Sequence, residues 1–452
     1  MTKPSRSIPR RLFDLSWPII GLNLLQVLAL AVDTAMIGRT PDAEAALVGM
    51  GYASQLVFLL MVAMIGLTVG TVALISRAHG AQQDDRVNHV LHQSTQLTVI
   101  LGVVVAIVGN LLAEPLLLAL GSDDVALHTG LLYFRPLLAG TTFTYLNILY
   151  AAALRGMEDT RSAFFVSLVM NLLNVVFNYG LILGNFGLPA LGIQGAAIGT
   201  VAAQACATAL MVWWLSRGHI PALKPVFRVE RIDLPLAKSL IGVGWPAATD
   251  MLVLNAAFLS IIGMLGRIDQ AAVAAHGLGL RVQALAFVPG LSVSQAVGAM
   301  VGNALGAGHV DEAKRVLRSG ILLCTVIMGS LGLLLIALDD LIVSAFGVDA
   351  GTPLFAYSKE WMQLLGYAMP PVGVWIALVG LFQGSGATRI TLRINAVVTV
   401  FAQIPGSAIL GFVVGLGAFG VWAAFPLTFL LKLAWGIVAY RKGAWAKTGT
   451  SL

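Results

Sequence analysis

Long apolar runs separated by short polar segments recur twelve times along this chain. A bilayer core about 30 Å thick is crossed by a helix of roughly 20 apolar residues. The runs lack the period-two alternation of a β-barrel, so helices are the remaining structure that satisfies the backbone in lipid. The runs predict transmembrane helices at residues 14–37, 46–75, 92–112, 131–154, 163–184, 194–216, 239–264, 273–303, 317–338, 361–383, 392–414 and 417–440.

Three short motifs from the first half recur in the second half, and one and the same step in residue number relates all three. They are Trp17-Pro18 with Trp245-Pro246, Gly38-Arg39 with Gly266-Arg267, and residues 155–161 with 383–389. We call this step, from Trp17 to Trp245, the repeat offset. A shared offset indicates an internal repeat. Each half holds six helices, an even number, so both halves cross the membrane in the same direction. A pseudo-symmetry axis along the membrane normal is therefore expected to relate them.

The fold class predicted is therefore an all-α membrane protein of twelve transmembrane helices in two pseudo-symmetric six-helix bundles. We expect an N-terminal lobe at 1–216, a cytoplasmic linker at 217–238 and a C-terminal lobe at 239–452. The linker is the longest polar segment of the chain and carries five basic residues. Two lobes joined on one side suit a central cavity that opens to either face of the membrane in turn.

Composition and charge agree with this architecture. Apolar residues make up 58% of the chain and charged residues 11%, too few charges to cover the surface of a soluble protein of 452 residues. With the N-terminus inside, 21 of the 27 basic residues lie on the inner side and three on the outer side. Cytoplasmic loops carry such an excess, so both termini are predicted to be cytoplasmic, and the net charge does not indicate a nucleic-acid partner.

Polar residues inside the apolar runs mark the candidate chemistry. Asp33 lies in the first run, and an acid inside a membrane is a functional hypothesis by default. Two stripes at helical spacing are Asn23, Gln26, Leu30 and Asp33 in the first run, and Ser167, Asn171, Asn174 and Asn178 in the fifth. Because lipid would leave the amides unsatisfied, the stripes are expected to face each other.

A carboxylate ringed by amide and hydroxyl oxygens suits a hard cation such as Na⁺, to which Thr200 of the sixth run could contribute. The same carboxylate, removed from water, could carry a proton instead. A purely structural role, in which the asparagines join helices by hydrogen bonds, stays open, most of all for Asn171.

Several motifs occur in order along the chain: Trp17-Pro18 with residues 33–39, Arg155-Gly156 with Asp159-Thr160, and residues 195–200, 301–308 and 383–389. Together they resemble the MATE family, the multidrug and toxic compound extruders. Residues 371–375 lean toward the DinF-like branch. The resemblance covers the chain and implies twelve helices in two lobes and export of organic, often cationic compounds in exchange for Na⁺ or H⁺.

The resemblance also implies where the coupling ion binds. Asp33, Asn174, Asn178 and Thr200 match the ion site of the N-terminal lobe by motif position. Some members carry Asp where this chain has Asn178, so a relay of two acids is not expected here. Bending of the first helix, which is linked to transport in the family, could involve Pro18.

The C-terminal half departs further from the family pattern. The NorM-like acids would fall near Leu254 and Val372 and are absent. Asp250 lies one turn before the first of these positions, and it either pairs with Arg281 or contributes to a substrate or coupling site. The repeat offset places Ile261 opposite Asp33 and Leu22 opposite Asp250, so neither acid has a counterpart and the N-terminal half is predicted to handle the ion.

The remaining expectations concern ligands and alternatives. The substrate cavity is expected to include Gln26, Met36, Tyr145, Asp250 and Arg281. No cofactor, and no metal beyond Na⁺ at Asp33, is expected, and the partners are small organic molecules, the coupling cation and lipids. We expect a monomer in a bacterial inner membrane and no enzymatic activity. The alternative function is a flippase for lipid-linked oligosaccharides, which would need a strongly cationic cavity.

Overall fold

The computed structural model describes residues 7–218, 220, 222–224 and 230–447, and these residues form helices and no strand. Part of the predicted linker, residues 219, 221 and 225–229, lies outside them. The helices are α1 (Ile8–Ile37), α2 (Ala43–Gly80), α3 (Asp84–Ala119), α4 (Asp124–Ala139), α5 (Thr141–Gly156), α6 (Thr160–Leu183), α7 (Gly192–Ser216), α8 (Leu234–Leu265), α9 (Gln270–Gly306), α10 (Val310–Ala337), α11 (Asp339–Ala345), α12 (Pro353–Gly384), α13 (Thr388–Val398), α14 (Ile404–Ala408), α15 (Gly417–Arg441) and α16 (Ala444–Lys447).

The prediction of a multi-pass helical protein is confirmed. Within the described residues, eleven helical segments are long and apolar enough to cross a membrane, and the pair α4 and α5 makes twelve when counted as one span. The repeat is visible in the helix bounds, since α1 ends at Ile37 and α8 ends one repeat offset later, at Leu265. Likewise α6 begins at Thr160, and α13 begins one repeat offset later, at Thr388.

Two predicted runs are less regular than a single straight helix. The run at 131–154 bends by 54° between α4 and α5, where Pro136 weakens the last turn of α4. Val201 of α7 packs at the bend, because a Cβ on Gly140 would lie 2.4 Å from its methyl group. The run at 392–414 contains two π-helical turns, 399–403 and 409–413, on either side of Pro405, which cannot donate to the helical ladder.

The chain packs as two compact units. The N-terminal unit comprises residues 21–245, and the C-terminal unit comprises 246–452 together with the segment up to residue 20. The division therefore falls inside α1 and α8, close to Pro18 and at Pro246. The predicted lobe boundaries at 216 and 239 follow the chain and stay a prediction.

Contacts inside each unit show how the starts of α1 and α8 are held. In the C-terminal unit Arg11 forms a 3.2 Å ion pair with Glu312 of α10. In the N-terminal unit α8 approaches α2 closely, since a Cβ on Gly244 would lie 2.4 Å from the Gly66 carbonyl oxygen. Small residues permit this backbone contact.

The described end of the linker is fastened to the start of α3. His89 lies 2.9 Å from the Asp233 carboxylate. Gln93 donates to the Arg231 carbonyl oxygen at 3.1 Å and accepts from the Asp233 N–H at 3.0 Å. Asp233 also accepts from the Leu236 N–H and so caps α8.

The linker contact predicts a pH-dependent stability. The hydrogen bond from His89 holds the pKa of Asp233 below its ordinary value. The ionised carboxylate therefore stabilises the fold above the unfolded-state pKa of about 4, and this contribution is lost as the pH falls through the lowered pKa. Asp233→Asn is expected to lower the unfolding temperature of the detergent-solubilised protein at neutral pH and to flatten its acid dependence.

Asp85→Asn is the matched control for Asp233→Asn, because Asp85 is exposed and lies on the same helix as His89. It is expected to keep the acid dependence of the unmodified protein. Identical unfolding curves for Asp233→Asn and the unmodified protein at each pH would show that the contact contributes nothing.

Candidate functional site

The structure brings Asp33 of α1 and Asn178 of α6 together inside the N-terminal unit. Asp33 is 7% exposed and Asn178 is fully buried. The Asn178 side-chain Nδ2 donates to the Asp33 Oδ1 at 2.6 Å. The predicted polar stripes of the first and fifth runs therefore meet at these two residues.

The other residues predicted for the ion site differ in whether they hydrogen-bond to a second helix or only within their own. Asn174 of α6 donates to the Thr200 hydroxyl of α7 at 3.0 Å. Asn171 instead donates to the Ser167 carbonyl oxygen of its own helix at 2.7 Å and is not bonded to Asp33. Three helices, α1, α6 and α7, thus supply one polar cluster, which we call the Asp33 cluster: Asp33, Asn174, Asn178 and Thr200.

The Asp33 cluster carries an uncompensated negative charge. Among the described residues of the N-terminal unit, Asp33 is the only Asp, Glu, Lys or Arg with less than a tenth of its surface exposed, and it forms no ion pair with them. The amide oxygens of Asn174 and Asn178 are buried and accept no hydrogen bond from the described residues. The Asp33 carboxylate and the Asn174 amide oxygen are ligands of the type that a hard cation prefers, whereas the Asn178 oxygen packs against Gly199 of α7.

A close helix approach fixes the position of Asn178. A Cβ on Gly199 of α7 would lie 2.1 Å from the Asn178 Oδ1. Because Gly199 has no Cβ, α7 contacts the Asn178 amide oxygen directly, and the Nδ2 is oriented toward Asp33.

Gly199→Ala is expected to displace the Asn178 side chain and to weaken its hydrogen bond to Asp33. A hydrogen bond to a charged group contributes about 1.5–3 kcal/mol, so ion-dependent transport should fall by about tenfold or more while expression stays near normal. Gly51→Ala is the matched control in the same unit, because nothing lies within 4 Å of its added Cβ. Equal transport by both variants, measured as drug efflux from cells, would contradict the role given to Gly199.

The C-terminal unit holds a second polar cluster, which we call the Asp250 cluster: Asp250, Asn395 and Lys432. Asn395 of α13 donates its Nδ2 to both carboxylate oxygens of Asp250, at 2.8 and 2.9 Å. Lys432 of α15 is 1% exposed and interacts electrostatically with Asp250. Arg281 is exposed, so the structure does not show the pairing of Asp250 with Arg281 that was one interpretation of the sequence.

The sequence carried a signal for this cluster that the stripe analysis missed. Thr391, Asn395, Thr399 and Gln403 follow one another at four-residue spacing, and all four are buried. The hydroxyl groups of Thr391 and Thr399 accept or donate no hydrogen bond among the described residues. The stripe passes into the π turn at 399–403, and π turns are frequent at functional sites.

Three residues predicted for the substrate cavity occupy different environments. Tyr145 is fully buried, and its hydroxyl donates to the Leu60 carbonyl oxygen at 2.7 Å, as a core residue does. Met36 packs against an apolar cluster of the N-terminal unit. Gln26 is exposed. These contacts do not place the three side chains in one common pocket.

Comparison with known proteins identifies the family. The family model described as MatE matches residues 18–180 and, a second time, residues 246–409. The chain belongs to the MATE family. The two matches begin at Pro18 and Pro246, so the repeat offset of the short motifs also relates the two matches.

Similar MATE proteins cover nearly the whole chain. The chain is 29% identical to the probable multidrug resistance protein YoeA of Bacillus subtilis, over 95% of this chain and 92% of that protein. It is 31% identical to the multidrug resistance protein NorM of Burkholderia vietnamiensis, over 93% of this chain and 92% of that one. A crystal structure of MATE in the bent conformation has the same fold, with a TM-score of 0.89, 21% identity and coverage of 98% and 97%. The chain is accordingly a membrane transporter of this family and not an enzyme.

Proposed function

We propose that the chain is a secondary active antiporter that exports amphiphilic, often cationic organic compounds in exchange for Na⁺ or H⁺. The relatives named as multidrug resistance proteins support the class of substrate. The observation that carries the proposal is the Asp33 carboxylate, which is buried in a membrane helix without a basic partner among the described residues. The protein acts in the bacterial inner membrane as a monomer with both termini in the cytoplasm.

The electrostatics of Asp33 give the reason for coupling. Keeping an ionised side chain buried away from water costs several kcal/mol, and bound Na⁺ or a proton reduces that cost. Occupancy also changes how the carboxylate accepts the hydrogen bond from Asn178 of α6. A coupling ion drives transport when it binds two conformations with different affinity, and the link between α1 and α6 is the contact through which Asp33 would transmit this difference.

The coupling ion is tested with purified protein in proteoliposomes loaded with a fluorescent organic cation. Efflux is measured under a Na⁺ gradient alone and then under a proton gradient alone. We expect one of the two gradients to accelerate efflux, and the same gradient to be ineffective on Asp33→Asn. Efflux that responds to neither gradient would refute the antiport.

The flippase alternative is not favoured. Binding of a lipid pyrophosphate requires several basic side chains in one cavity. Among the described residues Lys432 is the least exposed Lys or Arg and interacts electrostatically with Asp250, whereas Arg77 and Arg155 are half-buried and Arg135 and Arg281 are exposed.

A further inference from the structure

Each unit contains one acid–asparagine pair between its first and fifth membrane-spanning helices. In the N-terminal unit Asp33 of α1 pairs with Asn178 of α6. In the C-terminal unit Asp250 of α8 pairs with Asn395 of α13. These are equivalent helices, because their bounds are related by the repeat offset.

The two pairs are related to each other by a shorter step than the repeat offset. Both partners are separated by 145 residues in each unit, so the step from Asp33 to Asp250 equals the step from Asn178 to Asn395. The shortfall from the repeat offset is about three helical turns, or about 16 Å along a helix. Because the acid and the asparagine are displaced by the same number of residues, they still lie opposite each other on the two helices.

This displacement corrects the expectation that neither acid has a counterpart. The repeat offset places apolar residues opposite both acids. The acid and its asparagine nevertheless recur together in the second half, nearer the start of α8 and α13. The second pair lies at a different level of its helices but joins the same chemical groups across the same helix contact.

The pairs differ in their charge. Lys432 is buried in the Asp250 cluster, with its Nζ 4.8 Å from the centre of the Phe429 ring. The repeat offset relates Lys432 to Gln204 of α7, a neutral residue whose side-chain oxygen accepts from the Thr144 hydroxyl, but the same offset relates Asp250 to Leu22 and not to Asp33. A buried ammonium thus accompanies one acid, while none of the described residues supplies a buried cation to Asp33.

Lys432 is held away from water inside the C-terminal unit. Its side chain is 1% exposed, and its Nζ lies over the ring of Phe429. It acts on Asp250 through the low-dielectric interior, where opposite charges attract more strongly than in water. Removal of one member of such a pair leaves an uncompensated buried charge.

We propose that Lys432 is a tethered counter-ion that neutralises Asp250, so that the Asp250 cluster takes up no coupling ion while the Asp33 cluster requires one. This inference rests on the proposed function, in which Asp33 binds the coupling ion. Lys432 therefore sets the number of ions: replacing it with an apolar residue should open a second cation site at Asp250.

The test counts cations bound by purified protein carrying Lys432→Met, which has a side chain of similar length without charge. One arm measures equilibrium binding of radioactive Na⁺, and the other measures the infrared signal of protonated carboxyl groups. We expect one additional Na⁺ or one additional protonated carboxyl per molecule, a doubling of the site count. Lys432→Arg keeps the charge and is expected to show no gain.

The double variant Asp250→Asn with Lys432→Met identifies the new site, and it is expected to lose the gain while folding normally. If Lys432→Met alone does not fold, folding of the double variant supports charge neutralisation, whereas misfolding of both overturns it in favour of a packing role. A folded Lys432→Met that binds no additional cation also overturns the inference.

Asp33→Asn separates failure of this inference from failure of the proposed function. If Asp33 is the coupling site, Asp33→Asn lacks the cation that the unmodified protein binds, and adding Lys432→Met restores one cation, now at Asp250. Unchanged binding by Asp33→Asn would instead refute the function proposed for Asp33, whatever Lys432→Met shows.

Discussion

Asp33→Asn is expected to give a protein that folds and reaches the membrane but confers no drug resistance. The amide has nearly the shape of the carboxylate and can still accept from Asn178, which donates at 2.6 Å. It carries no charge, so it neither attracts Na⁺ nor holds a transferable proton. Coupling free energies of about 1–3 kcal/mol correspond to factors of about 5–150, and a loss of that size should bring efflux to the level of cells without the transporter.

Although Asp33→Asn is expected to lose transport, its stability should not fall. Loss of the buried charge removes a desolvation cost of several kcal/mol, which offsets the about 1.5–3 kcal/mol lost with the charge-assisted hydrogen bond from Asn178, so the unfolding temperature is expected to stay equal or rise. The measurement is drug susceptibility in a strain lacking its own exporters, with expression verified. Asp42→Asn, which changes an exposed acid just beyond the same helix, serves as control and should keep full resistance. Full resistance in Asp33→Asn would refute the role of Asp33.

Gly384→Ala is expected to have the largest effect on stability. A Cβ at Gly384 of α12 would lie 2.0 Å from the Gly298 carbonyl oxygen and 2.6 Å from its Cα, both in the backbone of α9. No side-chain rotation relieves such a clash, so the two helices must separate. Overpacking of this kind costs about 1–3 kcal/mol, and both the unfolding temperature and the amount of protein in the membrane should fall.

Gly263→Ala provides the comparison for Gly384→Ala in the same unit. Nothing lies within 4 Å of a Cβ added to Gly263 in α8, and alanine is favoured over glycine in a helix by about 1 kcal/mol. Its unfolding temperature should therefore equal or exceed that of the unmodified protein. Similar unfolding temperatures for the two variants would show that α9 and α12 separate without cost.

Hydropathy and charge were sufficient to predict the helices because crossing a bilayer constrains length and composition strongly. The repeat also emerged from short motifs, since Pro18 and Pro246 lie early in equivalent helices and begin both family matches. The bend at Gly140 was not predicted, since Pro136 alone does not determine an angle and the contact between Gly140 and Val201 joins helices that are distant in the sequence.

The candidate site was predictable where one residue type stood out. Asp33 was conspicuous as an acid in an apolar run, and helical spacing selected Asn178 as a facing residue. Asn395 and Lys432 were missed because the choice of partner for Asp250 depends on the rotation of α13 and α15, which the sequence does not specify. Arg281 was the nearest basic residue along the chain in the following helix, but its side chain is exposed.

The division of α1 and α8 between the compact units bears on whether the halves of this protein can exist separately. A cut in the linker would leave the first half without the partner that holds Arg11, since Glu312 lies in the second half. The same cut would also separate α2 from the start of α8, which contact each other at Gly66 and Gly244. Fragments produced alone should therefore be degraded, whereas co-expressed fragments should complement each other, and a single half of this design would be stable only as a dimer in which the two copies exchange the start of the first helix.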